Sequence, residues 1–262
     1  MAVPFEDPWV LPVLAGLVGL MFGSFLNVCT LRWPSDESVV SPPSRCPGCG
    51  TRIRWYDNVP VLSYLLLRGK CRSCGAGISI QYPMIELATG LIWAGSFLQH
   101  GFSVESARGA VFLTLLLGIA VTDARFYIIP DQFSLGGGIL GLVLAPLPGG
   151  LTLVEALLGA GVGFGVLWGV AKLGRWLFKK EAMGGGDLKM MGMVGAFLGI
   201  PGVLLTLFLG AFFGSIVFGP ISWKTGKLVP FGIFLAVGAS VSYGWGETII
   251  SWYTENFLGM PY

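Results

Sequence analysis

Residues 9–31 read WVLPVLAGLVGLMFGSFLNVCTL, an apolar run without a single charged side chain. Coiled as a helix rising 1.5 Å per residue, it spans about 35 Å, enough to cross a hydrocarbon core of about 30 Å. Glu6 and Asp7 precede it and the first basic residue is Arg32. It therefore lacks the basic start of a cleaved signal peptide and reads as a retained span. The same reading, carried outward, finds further apolar runs at 82–99, 106–122, 132–147, 153–171, 188–200, 202–220 and 230–250. The expected fold is thus an all-α polytopic membrane protein with about eight transmembrane helices. Composition agrees, with 54% hydrophobic and 11% charged residues, against roughly 25% charged in soluble proteins, and a mean hydropathy of +0.76. A soluble globular enzyme, a disordered chain and a secreted disulfide scaffold are excluded. No internal repeat stands out.

Charge orients the spans. With the N-terminus outside, every Lys and Arg except Arg108 falls on one side: seven within 32–72, then Arg125, Lys172, Arg175, Lys179, Lys180, Lys189, Lys224 and Lys227. By the positive-inside bias that side is cytoplasmic. The expected organisation is a first transmembrane helix (1–31), a polar cytoplasmic insert (32–81) and a seven-helix membrane domain (82–262).

The insert carries Cys46-Pro-Gly-Cys49-Gly and Cys71-Arg-Ser-Cys74-Gly. Two C-x-x-C pairs at this spacing are a tetrahedral metal signal, each turn supplying two thiolates. Four soft thiolates favour zinc, with iron as the minority option. A segment of about fifty residues builds little core of its own, so a metal would hold it together. Four protein ligands close the site, making it structural. Two disulfides are the competing reading, disfavoured by a reducing compartment. A nucleic-acid zinc ribbon would use the same basic residues, but membrane topology already accounts for that charge. Cys29, inside the first run, reads as packing.

Acids at membrane depth are costly and point to function. Asp123 ends the third run in Val121-Thr122-Asp123-Ala124-Arg125, and Asp187 begins the sixth in Gly184-Gly185-Gly186-Asp187-Leu188-Lys189. The topology brings both to the cytoplasmic face, as hydrolysis by one ionised and one protonated carboxylate sharing a water requires. Each alone also reads as an interfacial carboxylate beside Arg125 or Lys189. The sixth run covers only about 20 Å, so its glycines are expected to form a loop dipping inward, or the bilayer to thin. Asp131, Asp57, Asp36 and Glu37 read as loop and capping residues, and Glu86 is the remaining acid inside a span. His100, the one histidine, falls on the outer face, so a Ser-His-Asp triad and an H-E-x-x-H zinc site are both absent. The glycine run also lacks the spacing of a phosphate-binding loop.

Taken in order, Gly23-Ser24-Phe25-Leu26-Asn27-Val28, the two cysteine pairs, Tyr82-Pro83-Met84-Ile85-Glu86-Leu87, Asp123 with Ile129-Pro130-Asp131, and Gly184-Gly185-Gly186-Asp187 resemble the type IV prepilin leader peptidases, bacterial inner-membrane aspartic proteases of the GxGD kind. The resemblance covers nearly the whole chain. Met183 stands where the family usually has phenylalanine. The resemblance implies removal of the basic leader of type IV prepilins or pseudopilins at the cytoplasmic face, after glycine, with Asp123 and Asp187 matching the catalytic pair. It also implies N-methylation of the new amino terminus from S-adenosylmethionine, for which Asn27 and Glu86 are candidates. The partners implied are the prepilins and the lipid bilayer, with no nucleic acid. The competing classes are a zinc-stapled transporter or channel, whose broken helix would suit the short sixth run, and a presenilin-like intramembrane protease.

Overall fold

The computed structural model describes residues 7–179, 183–225 and 230–259. Glu6, Lys180 and Lys227, used above for topology, lie outside the described residues. Helices dominate: α1 (Val10–Arg32), α2 (Leu62–Leu66), α3 (Gln81–His100), α4 (Val104–Phe126), α5 (Asp131–Leu144), α6 (Leu153–Phe178), α7 (Gly185–Thr225) and α8 (Phe231–Tyr253). Among the described residues there is no strand, only two isolated bridges inside the insert, Arg45 with Arg52 and Lys70 with Gly77. The protein is an all-helical membrane protein with a cysteine-bearing insert between α1 and α3.

Every run expected to span is helical, but the count of eight is not reproduced. Among the described residues five helices are long and apolar enough to cross a membrane, namely α1, α4, α6, α7 and α8, and α5 is a shorter apolar helix. The more polar α3 carries Gln81, Glu86, Gln99 and His100. The sixth and seventh runs fall within α7, which is interrupted at Gly199, where φ is 65° and ψ is −172°. That left-handed backbone suits glycine, and helix resumes at once through Pro201. The expected glycine loop is corrected too: Gly185 and Gly186 form the first helical residues of α7.

The chain divides within α4 into two compact units, Met1–Thr114 and Leu115–Tyr262. In the first, α1 packs along α3. A methyl group at Gly23 would sit 2.6 Å from the Glu86 Cα, so the two backbones meet as small residues allow in lipid, where packing takes the place of the hydrophobic drive. The Trp93 indole N–H donates to the Thr114 hydroxyl at 3.1 Å, joining α3 to the middle of α4.

In the second unit α7 is central, packed on α5, α6 and α8. Thr152 starts α6 with a capping box: Glu155 N–H donates to the Thr152 hydroxyl at 3.2 Å, and Thr152 N–H donates to the Glu155 carboxylate at 2.8 Å. The closest helix contact joins Gly159 of α6 to Gly195 of α7, where a Cβ on either would overlap the carbonyl of the other. Met190, Met191, Met193 and Val194 are buried around it.

Candidate active site and metal centre

Asp123 stands in the last turn of α4 and is 6% exposed. Its carboxylate faces the start of α8, where the N–H groups of a first turn have no partners within the helix. Ile233 N–H donates to Asp123 Oδ2 at 3.1 Å, and the Gly232 N–H contributes a second bond. No side chain fits between them: a Cβ at Gly232 would lie 2.9 Å from Asp123 Oδ2 and 2.9 Å from Ile129 Cδ1.

Asp187 occupies the third helical position of α7, and its carboxylate reaches back to the Gly184 N–H, as acids at this position do in a capping box. It is half-buried and within electrostatic reach of Asp123. Ile129 links the two neighbourhoods, since a Cβ on Gly186 would meet the Ile129 Cβ at 2.9 Å. Both carboxylates thus belong to the second unit, each oriented by backbone donors at a helix start. Two acids so placed can share one proton and activate water between them.

Lys189, a turn-neighbour of Asp187, pairs elsewhere. Its ammonium donates to both Asp131 oxygens, at 2.6 and 2.9 Å, tying the second turn of α7 to the first residue of α5. Arg125 lies over the Phe126 ring, 5.5 Å from its centroid. Asp131, expected as a loop or capping residue, is the first helical residue of α5 behind Pro130 at the cap, and its carboxylate carries an ion pair. The partners that sequence reading missed are Ile129, Gly232 and the Ile233 amide. Only Pro230, a helix-starting residue just ahead of a glycine, hinted at this contact.

The four cysteines of the insert carry free thiols, and their sulfurs all lie within 4.8 Å of one another. Two matching turns build the cluster. Cys46 N–H donates to Thr51 O and Gly50 N–H to Cys46 O, while Cys71 N–H donates to Ala76 O and Gly75 N–H to Cys71 O. Gly50 and Gly75 hold φ of 69° and 72° at the same place in each turn. Thr51, through its hydroxyl and its backbone amide, draws the Cys49 thiol down to about 6. Zinc–sulfur bonds of about 2.3 Å in a tetrahedron set sulfurs about 3.8 Å apart, and Cys46 and Cys74 are separated by 3.8 Å. The donor set fits a tetrahedral thiophilic metal. Asp57 braces it from outside, taking Arg72 Nε and Nη2 at 2.9 and 2.6 Å. That guanidinium holds the Asp57 carboxyl below the usual carboxylate range.

Asn27 and Glu86 come together on the α1–α3 pair, 4% and 8% exposed. Asn27 Nδ2 donates to Tyr82 O at 3.0 Å and to Gly23 O at 3.3 Å. Glu86 Oε2 accepts the Val61 N–H at 2.7 Å, and the Ser24 hydroxyl bonds the same carboxylate. Cys29 is buried, as expected of a packing residue. His100 ends α3 with its Nδ1 3.4 Å from Glu105.

Residues 17–100 match the model of the bacterial peptidase A24 N-terminal domain, and residues 110–219 that of the type IV leader peptidase family. Proteins described as prepilin leader peptidase/N-methyltransferase are similar over most of the chain. The one from Xanthomonas campestris is 35% identical, covering 95% of this chain and 96% of its own. That from Bacillus subtilis is 33% identical over 93% and 98%. That from Myxococcus xanthus is 38% identical over 82% of this chain and 64% of its own. No solved structure matches.

Proposed function

Since the chain belongs to the type IV leader peptidase family, we propose that it removes the basic leader of type IV prepilins or pseudopilins and N-methylates the new amino terminus. The observation that carries the peptidase reading is the placement of Asp123 and Asp187 within electrostatic reach of each other at two helix ends. The substrate's leader lies in the cytoplasm and its apolar helix against the spans, so the scissile bond falls at the membrane face. One ionised aspartate takes a proton from water as it attacks the carbonyl. The other donates to the carbonyl oxygen and then helps the amine leave. Water is the nucleophile, so no acyl-enzyme forms. The insert and both aspartates are assigned to the cytoplasmic side of the bacterial inner membrane. The transporter and presenilin-like readings are not favoured.

Zinc is the proposed occupant of the four cysteines, as a structural ion. S-adenosylmethionine, when bound, supplies the methyl group. Asn27 and Glu86 are more than nine-tenths buried and hydrogen-bonded to backbone, which does not fit direct contact with that donor. We assign them as positioning residues: Asn27 ties α1 to α3 through Tyr82 O, and Glu86 sets the insert against α3 through the Val61 N–H. Gln at 86 still accepts the Val61 N–H, whereas Ala cannot. Glu86→Gln should therefore keep methylation and Glu86→Ala lower it. Loss with Gln and retention of metal would assign Glu86 a proton-handling role instead.

The activity is tested by intact-mass analysis of a co-expressed prepilin, in which loss of the leader reports cleavage and a gain of about 14 Da, one methylene, reports methylation. An unshortened prepilin would overturn the peptidase reading. In the same assay Gly232→Ala should slow cleavage by about tenfold or more, because the added carbon displaces Asp123 and sub-ångström errors in catalytic placement are costly. A normal rate for Gly232→Ala would remove the α8 contact from the mechanism.

A further inference from the structure

Between the two cysteine turns the insert presents apolar side chains that none of the described residues covers. Leu62, Leu65 and Leu66 on α2 are 52%, 65% and 73% exposed, and Trp55 is 82% exposed. Three neighbouring leucines and a tryptophan facing water would be an association hazard for a soluble domain. Here their orientation is enforced. Ser63, on the flank of α2 beside the leucines, is 7% exposed. Its hydroxyl donates to Tyr56 O at 2.9 Å and accepts the Val59 N–H at 3.0 Å, which locks the turn bearing Trp55 onto α2.

The entry into α2 is strained. Val61 has φ of 61° and ψ of −49°, the rare hand of the γ-turn, closed by Leu62 N–H donating to Pro60 O at 2.5 Å. A β-branched residue in this region costs on the order of 1–3 kcal/mol and persists only where its surroundings hold it. The holder is Glu86, whose carboxylate takes the Val61 amide from the second turn of α3. The strained turn thus fixes α2 to the start of α3 and leaves the leucine face turned outward.

Basic residues frame the apolar face. Arg68 and Lys70 follow α2 directly, and Arg52 and Arg54 line an open hollow of 530 Å³ with Trp55. Leucine and tryptophan at headgroup depth, with flanking Lys and Arg meeting phosphates, is the composition of an interfacial anchor. We propose that the α2 face docks on the anionic lipid surface, with Leu62, Leu65, Leu66 and Trp55 entering the interface and the neighbouring arginines meeting lipid phosphates. The proposal rests on the membrane-embedded reading above.

The test uses the full chain with benzoylphenylalanine in place of Leu66 or, for comparison, of the exposed polar Ser73. Each protein is reconstituted in phosphatidylcholine–phosphatidylglycerol vesicles, irradiated and digested for mass analysis. A phospholipid adduct on the peptide bearing position 66, and none at position 73, is expected. A cross-link from 66 to another peptide of the chain, no adduct, or equal adducts at both positions would each overturn the proposal. Prepilin cleavage is measured in the same vesicles. Cleavage without a lipid adduct at 66 removes the docking alone, whereas an adduct without cleavage by the unsubstituted protein removes the proposed function alone.

Discussion

Asparagine in place of Asp123 or Asp187 should each reduce prepilin shortening to background, a loss of about 10²–10⁴-fold or more. The substitution keeps shape and most hydrogen bonding. In Asp123→Asn the amide oxygen would still accept the Ile233 N–H that the carboxylate takes at 3.1 Å, so the fold around α8 should survive. What disappears is the capacity to take and return a proton. Expression and metal content should be unchanged, which separates lost chemistry from lost structure. Asp131→Asn is the internal comparison. Its pair with Lys189 is 55% and 35% exposed at the two side chains, and such pairs contribute roughly 0–1 kcal/mol. A modest slowing is expected there. Full cleavage by either Asp123→Asn or Asp187→Asn, in membranes free of any endogenous enzyme, would falsify the dyad.

The second large effect is loss of the metal. Purified protein should contain close to one zinc per chain, and Cys71→Ser should remove most of it. A closed four-thiolate site contributes directly to folding, with apparent binding of about 10–16 kcal/mol in small zinc domains. The insert has little else to hold it. Each cysteine turn is closed by one isolated bridge, Arg45 with Arg52 and Lys70 with Gly77, and the second is braced by the Asp57–Arg72 pair, whose arginine is 54% exposed. Limited proteolysis should therefore cut Cys71→Ser protein, or chelator-treated protein, within the insert while the second unit resists. A fully folded, protease-resistant insert without metal would overturn the assignment.

The parts that the sequence made legible are those whose chemistry is written in side-chain type and short spacing. The cysteine pairs are of this kind, because each turn is local and the metal reads four sulfurs. The apolar runs are too, because lipid imposes length and composition. Asp123 and Asp187 stood out as acids beside long apolar runs. What stayed hidden depends on contacts distant in sequence or on backbone alone. The Ile233 amide has no side-chain signature, and Lys189 could be matched to Asp187 nearby as readily as to Asp131. Gly184–Gly186 reads as a loop because the apolar run after it is too short to span, yet Gly185 and Gly186 open α7, and at Gly186 the close approach of Ile129 leaves no room for a larger residue. The strained turn at Val61 was invisible for the opposite reason, since valine is among the last residues expected there.

The interruption at Gly199 divides α7 into two lengths whose rotational phase is set separately. A continuous helix transmits a shift of one residue along its whole axis as a rotation of about 100°. Here Asp187 is phased only by the segment ahead of Gly199, which Gly195 pins against Gly159 of α6. Beyond Gly199 the helix runs along α8, where the Ser242 hydroxyl donates to Gly202 O at 3.2 Å and a Cβ on Gly210 would meet Leu235 at 3.0 Å, so this second length is phased by the helix whose first turn holds Asp123. One residue inserted between Asp187 and Gly195 would swing the carboxylate of Asp187 away, whereas the same insertion after the break would shift α7 against α8 and so act on Asp123 instead.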